Sequence, residues 1–128
     1  MTYEKIMKME LHELLKWLEQ NFFIQVPAMI DTVDDMDKAA KDMLRLSANM
    51  QYLYALLSYA KISVRESKRS GNKAEYEDMI DRKEVISNIV EAVKHNYNAI
   101  SRAVTIKIEN NQELRMNTTG QIRNRYAG

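Results

Sequence analysis

The side chains that could do chemistry are few, and their spacing rules out most of it. Glu91 and His95 form an i, i+4 pair, which on a helix would set a carboxylate beside an imidazole. A carboxylate-bridged di-metal bundle needs Glu-x-x-His twice, yet Met9 stands three before His12 and Ala92 three before His95. There is no H-E-x-x-H, no G-x-S-x-G and no glycine-rich phosphate loop. The chain has no cysteine, hence no thiolate ligand, thiol nucleophile or disulfide. The reading is a binding or assembly protein rather than an enzyme, with no cofactor and no metal.

What the chain does concentrate is cationic charge. In AKISVRESKRSGNKAEYEDMIDRKE, Arg65, Lys68, Arg69 and Lys73 surround Gly71, and Glu75, Glu77, Asp78 and Asp81 follow at once. The net charge of +1 hides four blocks of alternating sign: −4 over residues 1–42, +5 over 43–73, −3 over 74–100 and +3 over 101–128. The last block contains Arg115, Arg123 and Arg125, with few acids nearby. Clusters of this kind bind a phosphate backbone by charge, with little sequence preference. Tyr52, Tyr54 and Tyr59 are candidate aromatics for such a surface.

The elements that must position these residues read as helices. Three Gly and one Pro in 128 residues leave few places to turn, which argues for one all-α domain of a few long helices. Met7, Leu11, Leu14, Leu18 and Phe22 make one apolar stripe, widened by Leu15, that predicts a first helix over about residues 3–22. Met29, Met36, Met43, Met50, Leu57 and Val64 recur every seven residues. The residues three later, Thr32, Ala39, Leu46, Leu53, Ala60 and Ser67, are small or apolar. A repeat this strict predicts an unbroken second helix over about residues 29–68, with its methionine seam in the core. Its start lies at Pro27 or at Thr32, where Thr32 and Asp35 have the spacing of a capping box.

Ser70-Gly71-Asn72 is the break, with Asn72 as N-cap of a third helix over about residues 73–115. VTIKI at 104–108 alternates like a strand but sits inside a longer helical pattern. Residues 117–128 are polar, basic and without period, a mobile tail beyond a domain of residues 1–116. Two long helices joined by so short a loop are antiparallel neighbours. The expected fold is thus an elongated three-helix bundle: a long antiparallel hairpin with the N-terminal helix packed along it. One short helix leaves apolar seam uncovered, so a homo-oligomer is expected.

The hairpin offers an internal use for the basic cluster. With the turn near Gly71, residue i faces about 142 − i, so Arg65 meets Glu77, and Lys61 meets Asp81. Such pairs contribute about 0–1 kcal/mol each, yet together they favour antiparallel register. Lys68, Arg69 and Lys73 crowd the bend itself, and the bend should stay positive.

The stretch NYNAISRAVTIKIENNQELRM at 96–116, preceded by EYEDMIDRKEVI at 75–86, resembles the C-terminal half of small all-helical proteins of bacteriophages and mobile elements. In plan these are similar to the recombination-mediator protein of T-even phages. The resemblance covers about residues 43–116 and implies a ring-forming oligomer that binds single-stranded DNA and helps load a recombinase. Carried over, Arg65, Lys68, Arg69 and Lys73 would contact the DNA, and Ile100, Val104 and Ile108 would form the assembly face. The near-neutral net charge departs from the strongly basic balance of a dedicated DNA binder. The alternative is a protein-interaction module of a mobile element, such as an inhibitor of a host defence complex, whose acidic Asp31, Asp34, Asp35 and Asp37 mimic a nucleic-acid backbone. In both readings the location is the cytoplasm of a bacterial host. The N-terminal residues show no signal peptide, and no apolar run is long enough to cross a membrane.

Overall fold

The computed structural model describes the backbone of residues 1–127 and the side chains of residues 1–116. It is all α-helical: α1 (Tyr3–Met7), α2 (Leu11–Phe22), α3 (Val33–Ser70) and α4 (Lys73–Ala127). The antiparallel α3–α4 hairpin is the frame, and α1 and α2 lie along it. At 1.5 Å per residue, α3 is about 57 Å long.

Capping chemistry sets where α3 begins. The Thr32 hydroxyl accepts from the Asp35 N–H at 3.0 Å, and Asp35 Oδ2 accepts from the Thr32 N–H at 3.1 Å, a reciprocal box. Asp35 Oδ2 also accepts from the Asp31 N–H at 3.0 Å. The Asp31 N–H, then the Thr32 N–H and then the Thr32 hydroxyl hold the Asp35 carboxyl below its usual 3.8. Of the two expected starts, Pro27 and Thr32, the helix uses Thr32, so Met29 precedes it and is 68% exposed.

The heptad reading needs a second correction. Met36, Met43, Met50, Leu57 and Val64 are only half-buried, whereas their companions Ala39, Leu46, Leu53, Ala60 and Ser67 are buried. The companion stripe is the true floor of the seam. It meets Ile86, Ile89, Val90, Val93 and Ile100 of α4, and each fully buried Leu or Ile contributes about 2 kcal/mol. VTIKI lies within α4 as helix.

The first helix is two. The Met9 N–H bonds the Ile6 carbonyl at 3.2 Å, α1 ends at Met7, and α2 restarts at Leu11. Ile6 and Met7 at the end of α1 are both buried in the core. Arg82, buried on α4, donates to the Met9 carbonyl left over at the break and pairs through Nε with Asp78 at 2.9 Å. Tyr3 packs against Tyr52 and Tyr59, each at 5.6 Å between centroids, and Phe22 stacks on Tyr52 at 5.4 Å. These rings dock α1 and α2 onto α3.

Residues 23–32 return extended along the hairpin, fastened by asparagines. Asn96 accepts from the Ile24 N–H at 2.9 Å and donates to the Ile24 carbonyl at 2.8 Å. Asn49 donates to the Phe22 carbonyl at 3.2 Å. At the far end α4 continues to Ala127, past the expected stop near residue 115. The expectation of a mobile tail over residues 117–128 concerns side chains outside the described residues.

Candidate nucleic-acid interface

The bend is built by two caps back to back. Gly71 takes φ +76°, the left-handed conformation that closes α3, and its N–H reaches the Lys68 carbonyl at 3.4 Å. One residue on, Asn72 Oδ1 accepts from the Glu75 N–H at 3.2 Å and opens α4. The Ser70 hydroxyl donates to the Ser67 carbonyl at 2.8 Å. With its backbone fixed in this way, the bend presents its side chains from a rigid support.

Arg65, Lys68, Arg69 and Lys73 are all exposed there. Among the described residues the four ion pairs, Lys8–Glu4, Lys38–Asp42, Arg82–Asp78 and Lys94–Glu91, each join residues three or four apart in the chain. The cross-hairpin pairs Arg65–Glu77 and Lys61–Asp81 do not form. Long exposed side chains lose more in ordering than a solvated pair returns, so register is left to the apolar seam. The C-terminal end of α3 and the N-terminal end of α4 meet at the bend with opposite dipole signs, so its field comes from side chains. Glu66, Glu75, Glu77 and Asp78 are exposed nearby; Asp78 is paired with Arg82, so the four cations outnumber the three acids left.

Lys68 and Lys73 share a concavity of about 140 Å³ with Ser67, Gly71, Asn72 and Tyr76. Arg65 and Arg69 lie outside it. The hollow forms where the buried companion stripe ends in the small Ser67, whose hydroxyl donates back to the Ser63 carbonyl at 2.8 Å. Tyr76 is not among the aromatics expected at this surface, Tyr52, Tyr54 and Tyr59.

The other expected parts of the surface are elsewhere. Tyr52 and Tyr59 belong to the aromatic dock of α1, and burial, then Tyr3, raises the Tyr52 pKa. Tyr54 holds Lys94 Nζ at 5.3 Å from its ring centroid. By helical rise, Tyr59 and Tyr52 lie about 18 and 28 Å from Gly71. Arg115 is exposed on α4 about 65 Å along its axis from the bend, so the two basic regions are at opposite ends. The side chains of Arg123 and Arg125 lie outside the described residues.

The expected assembly face is corrected in part. Ile100 is fully buried in the hairpin core and cannot contact a partner, because the seam between α3 and α4 reaches that far. Val104 is half-buried against the core, and Ile108 is 46% exposed. Exposed apolar residues occur around Ile108, at the end of the hairpin where α3 begins and α4 goes on: Met29, Val33, Ile106, Leu114 and Met116. Clefts of about 210 and 280 Å³ flank Lys107 there, between α4 and residues 28–36. At the same end Asp35 is engaged in the capping box, while Asp31, Asp34 and Asp37 are exposed.

Among the described residues no helix is long and apolar enough to cross a membrane, and no three His, Cys, Asp or Glu side chains are grouped to hold a metal ion. No family model, curated protein or solved structure matches this chain.

Proposed function

We propose that this chain is a non-enzymatic, self-assembling protein that binds single-stranded nucleic acid through the bend of its hairpin, as a recombination accessory of a phage or mobile element. The observation that carries the reading is the set of four exposed cations, Arg65, Lys68, Arg69 and Lys73, on a doubly capped bend without an ion-pair partner among the described residues. The recombination context rests on the resemblance of residues 75–86 and 96–116. Four cations release few counterions, so one bend binds weakly and loses affinity with salt at a log–log slope of about −0.7 per phosphate contacted. Several bends on one assembly would act together and raise avidity without new contacts.

The assembly surface in this reading is the opposite, apolar end around Ile106 and Ile108. Where α3 begins, Ile106 and Ile108 of α4 are exposed, and an apolar helix face adds stability only when it is packed. A second chain laid against Met29, Val33 and Ile108 would supply that packing. Anisotropy of a labelled oligonucleotide at ~50 mM salt, read with light scattering, tests both halves. The expected result is salt-sensitive binding by an oligomer, abolished when Lys68, Arg69 and Lys73 are all changed to Glu. Binding that survives this reversal, or none by the unaltered chain, refutes the nucleic-acid reading.

The exposed Asp31, Asp34 and Asp37 support a second reading, a module that offers a host protein an acidic surface. It requires capture of a basic host partner that is lost when these three become Asn.

A further inference from the structure

Building on the nucleic-acid reading, we propose that the hollow at the bend is a nucleotide seat. Lys68 and Lys73 hold one phosphodiester, and the Tyr76 ring stacks on the adjoining unpaired base. The position of Tyr76 carries the argument. Tyr3, Tyr52, Tyr59 and Tyr97 pack against the hydrophobic core, and Tyr54 is occupied by Lys94. Tyr76 lies outside that core cluster, pairs with no other ring among the described residues, and is half-buried. Its backbone N–H is already taken by the Asn72 carbonyl at 3.0 Å, which fixes the ring's root beside the bend. Core packing explains Tyr3, Tyr52, Tyr59 and Tyr97, and Lys94 engages Tyr54, but neither explains Tyr76.

The hollow also has a suitable size. It is an open depression of about 140 Å³, with room for a phosphate group. The two lysines that line it carry point charges on adaptable stems, suited to a phosphate without demanding one orientation. A base attached to that phosphate must then lie outside the hollow, where an aromatic face at the rim can take it. Ser67 makes the space, because any larger residue at the end of the companion stripe would fill it. Stacking needs an unpaired base, so the seat discriminates single strand from duplex, which charge alone does not.

The test uses the full chain with a labelled oligothymidylate and a duplex of equal length. Tyr76→Leu keeps an apolar, helix-compatible side chain and should weaken single-strand binding about tenfold or more. The slope of affinity against salt should not change, because no phosphate contact is lost. Duplex binding should not change either. Tyr76→Phe should bind like the unaltered chain, and Ser67→Leu should reproduce the Tyr76→Leu loss by filling the hollow. Lys68→Gln with Lys73→Gln should weaken both substrates and flatten the salt slope. If Tyr76→Leu and Ser67→Leu both bind single strand normally while the lysine double variant is weakened, the seat is wrong and the charge-based reading survives. If the lysine double variant is also unaffected, both fall together.

Discussion

Replacing Asn96 by alanine should release residues 23–32 from the hairpin, and the structure gives the cost. The Asn96 amide makes two bonds to one residue, accepting from the Ile24 N–H at 2.9 Å and donating to its carbonyl at 2.8 Å. A single orientation of the amide satisfies both. Each such bond contributes about 1 kcal/mol net, so losing the pair costs about 2 kcal/mol. With a urea m-value of ~1.5 kcal/mol/M for a domain of this size, the midpoint should fall by about 1.3 M. The assay is urea unfolding followed by far-UV circular dichroism and by Trp17 emission. Trp17 is the single tryptophan and its ring meets Phe22 at 5.5 Å, just before the fastened segment. Asn96→Asp sharpens the test. The new carboxylate keeps an acceptor for the Ile24 N–H but turns its second oxygen toward the Ile24 carbonyl, so folding favours the protonated form. The folded pKa of that group then lies above its unfolded value of about 3.9. Its deficit against the unaltered protein should be largest at pH 7 and shrink as pH falls through the raised folded value. Comparison at equal pH cancels the titration of other groups. A midpoint for Asn96→Ala within about 0.3 M of the unaltered chain, or a pH-independent deficit for Asn96→Asp, refutes the assignment.

Thr32→Ala should lower stability by about 1 kcal/mol through loss of the N-cap. Because Asp35 is held below its ordinary value, its share of the capping box should persist above pH ~4 and be lost as pH falls through the depressed folded value, so thermal melts at pH 7 and 3 should differ less for Asp35→Asn. Gly71→Ala should cost about 1 kcal/mol from the left-handed backbone alone, since nothing lies within 4 Å of an added Cβ; a melting temperature unchanged within error would contradict the cap. Ile100→Ala should cost about 2–4 kcal/mol at every protein concentration, whereas Ile108→Ser should leave monomer stability within about 0.5 kcal/mol and lower the mass seen by light scattering. The reverse pattern would return Ile100 to the assembly face.

The two long helices were legible from the sequence because local signals set them. Scarce Gly and Pro, the Thr32–Asp35 box and Ser70-Gly71-Asn72 act over a few residues, and α3 and α4 start and turn where those signals lie. The heptad named the right helix but the wrong stripe. Period alone does not tell which of two neighbouring rows faces inward, and contact with α4 settled on Ala39, Leu46, Leu53 and Ala60 over the methionines. The α1–α2 break was invisible because its cause is remote: Arg82, on another helix, satisfies the carbonyl that the break exposes. Asn49 and Asn96 likewise look like ordinary polar helix residues until the extended segment is laid against them.

The basic bend shows the same division. Residue types and order were enough to place four cations around Gly71. Whether α4 would neutralise them, and which tyrosine would stand beside them, depended on side-chain geometry across the hairpin. Solvated charges gain too little from pairing to dictate that geometry, so apolar packing decided it: Tyr52 and Tyr59 went to the docking of α1, and Tyr76 was left lining the hollow at the bend.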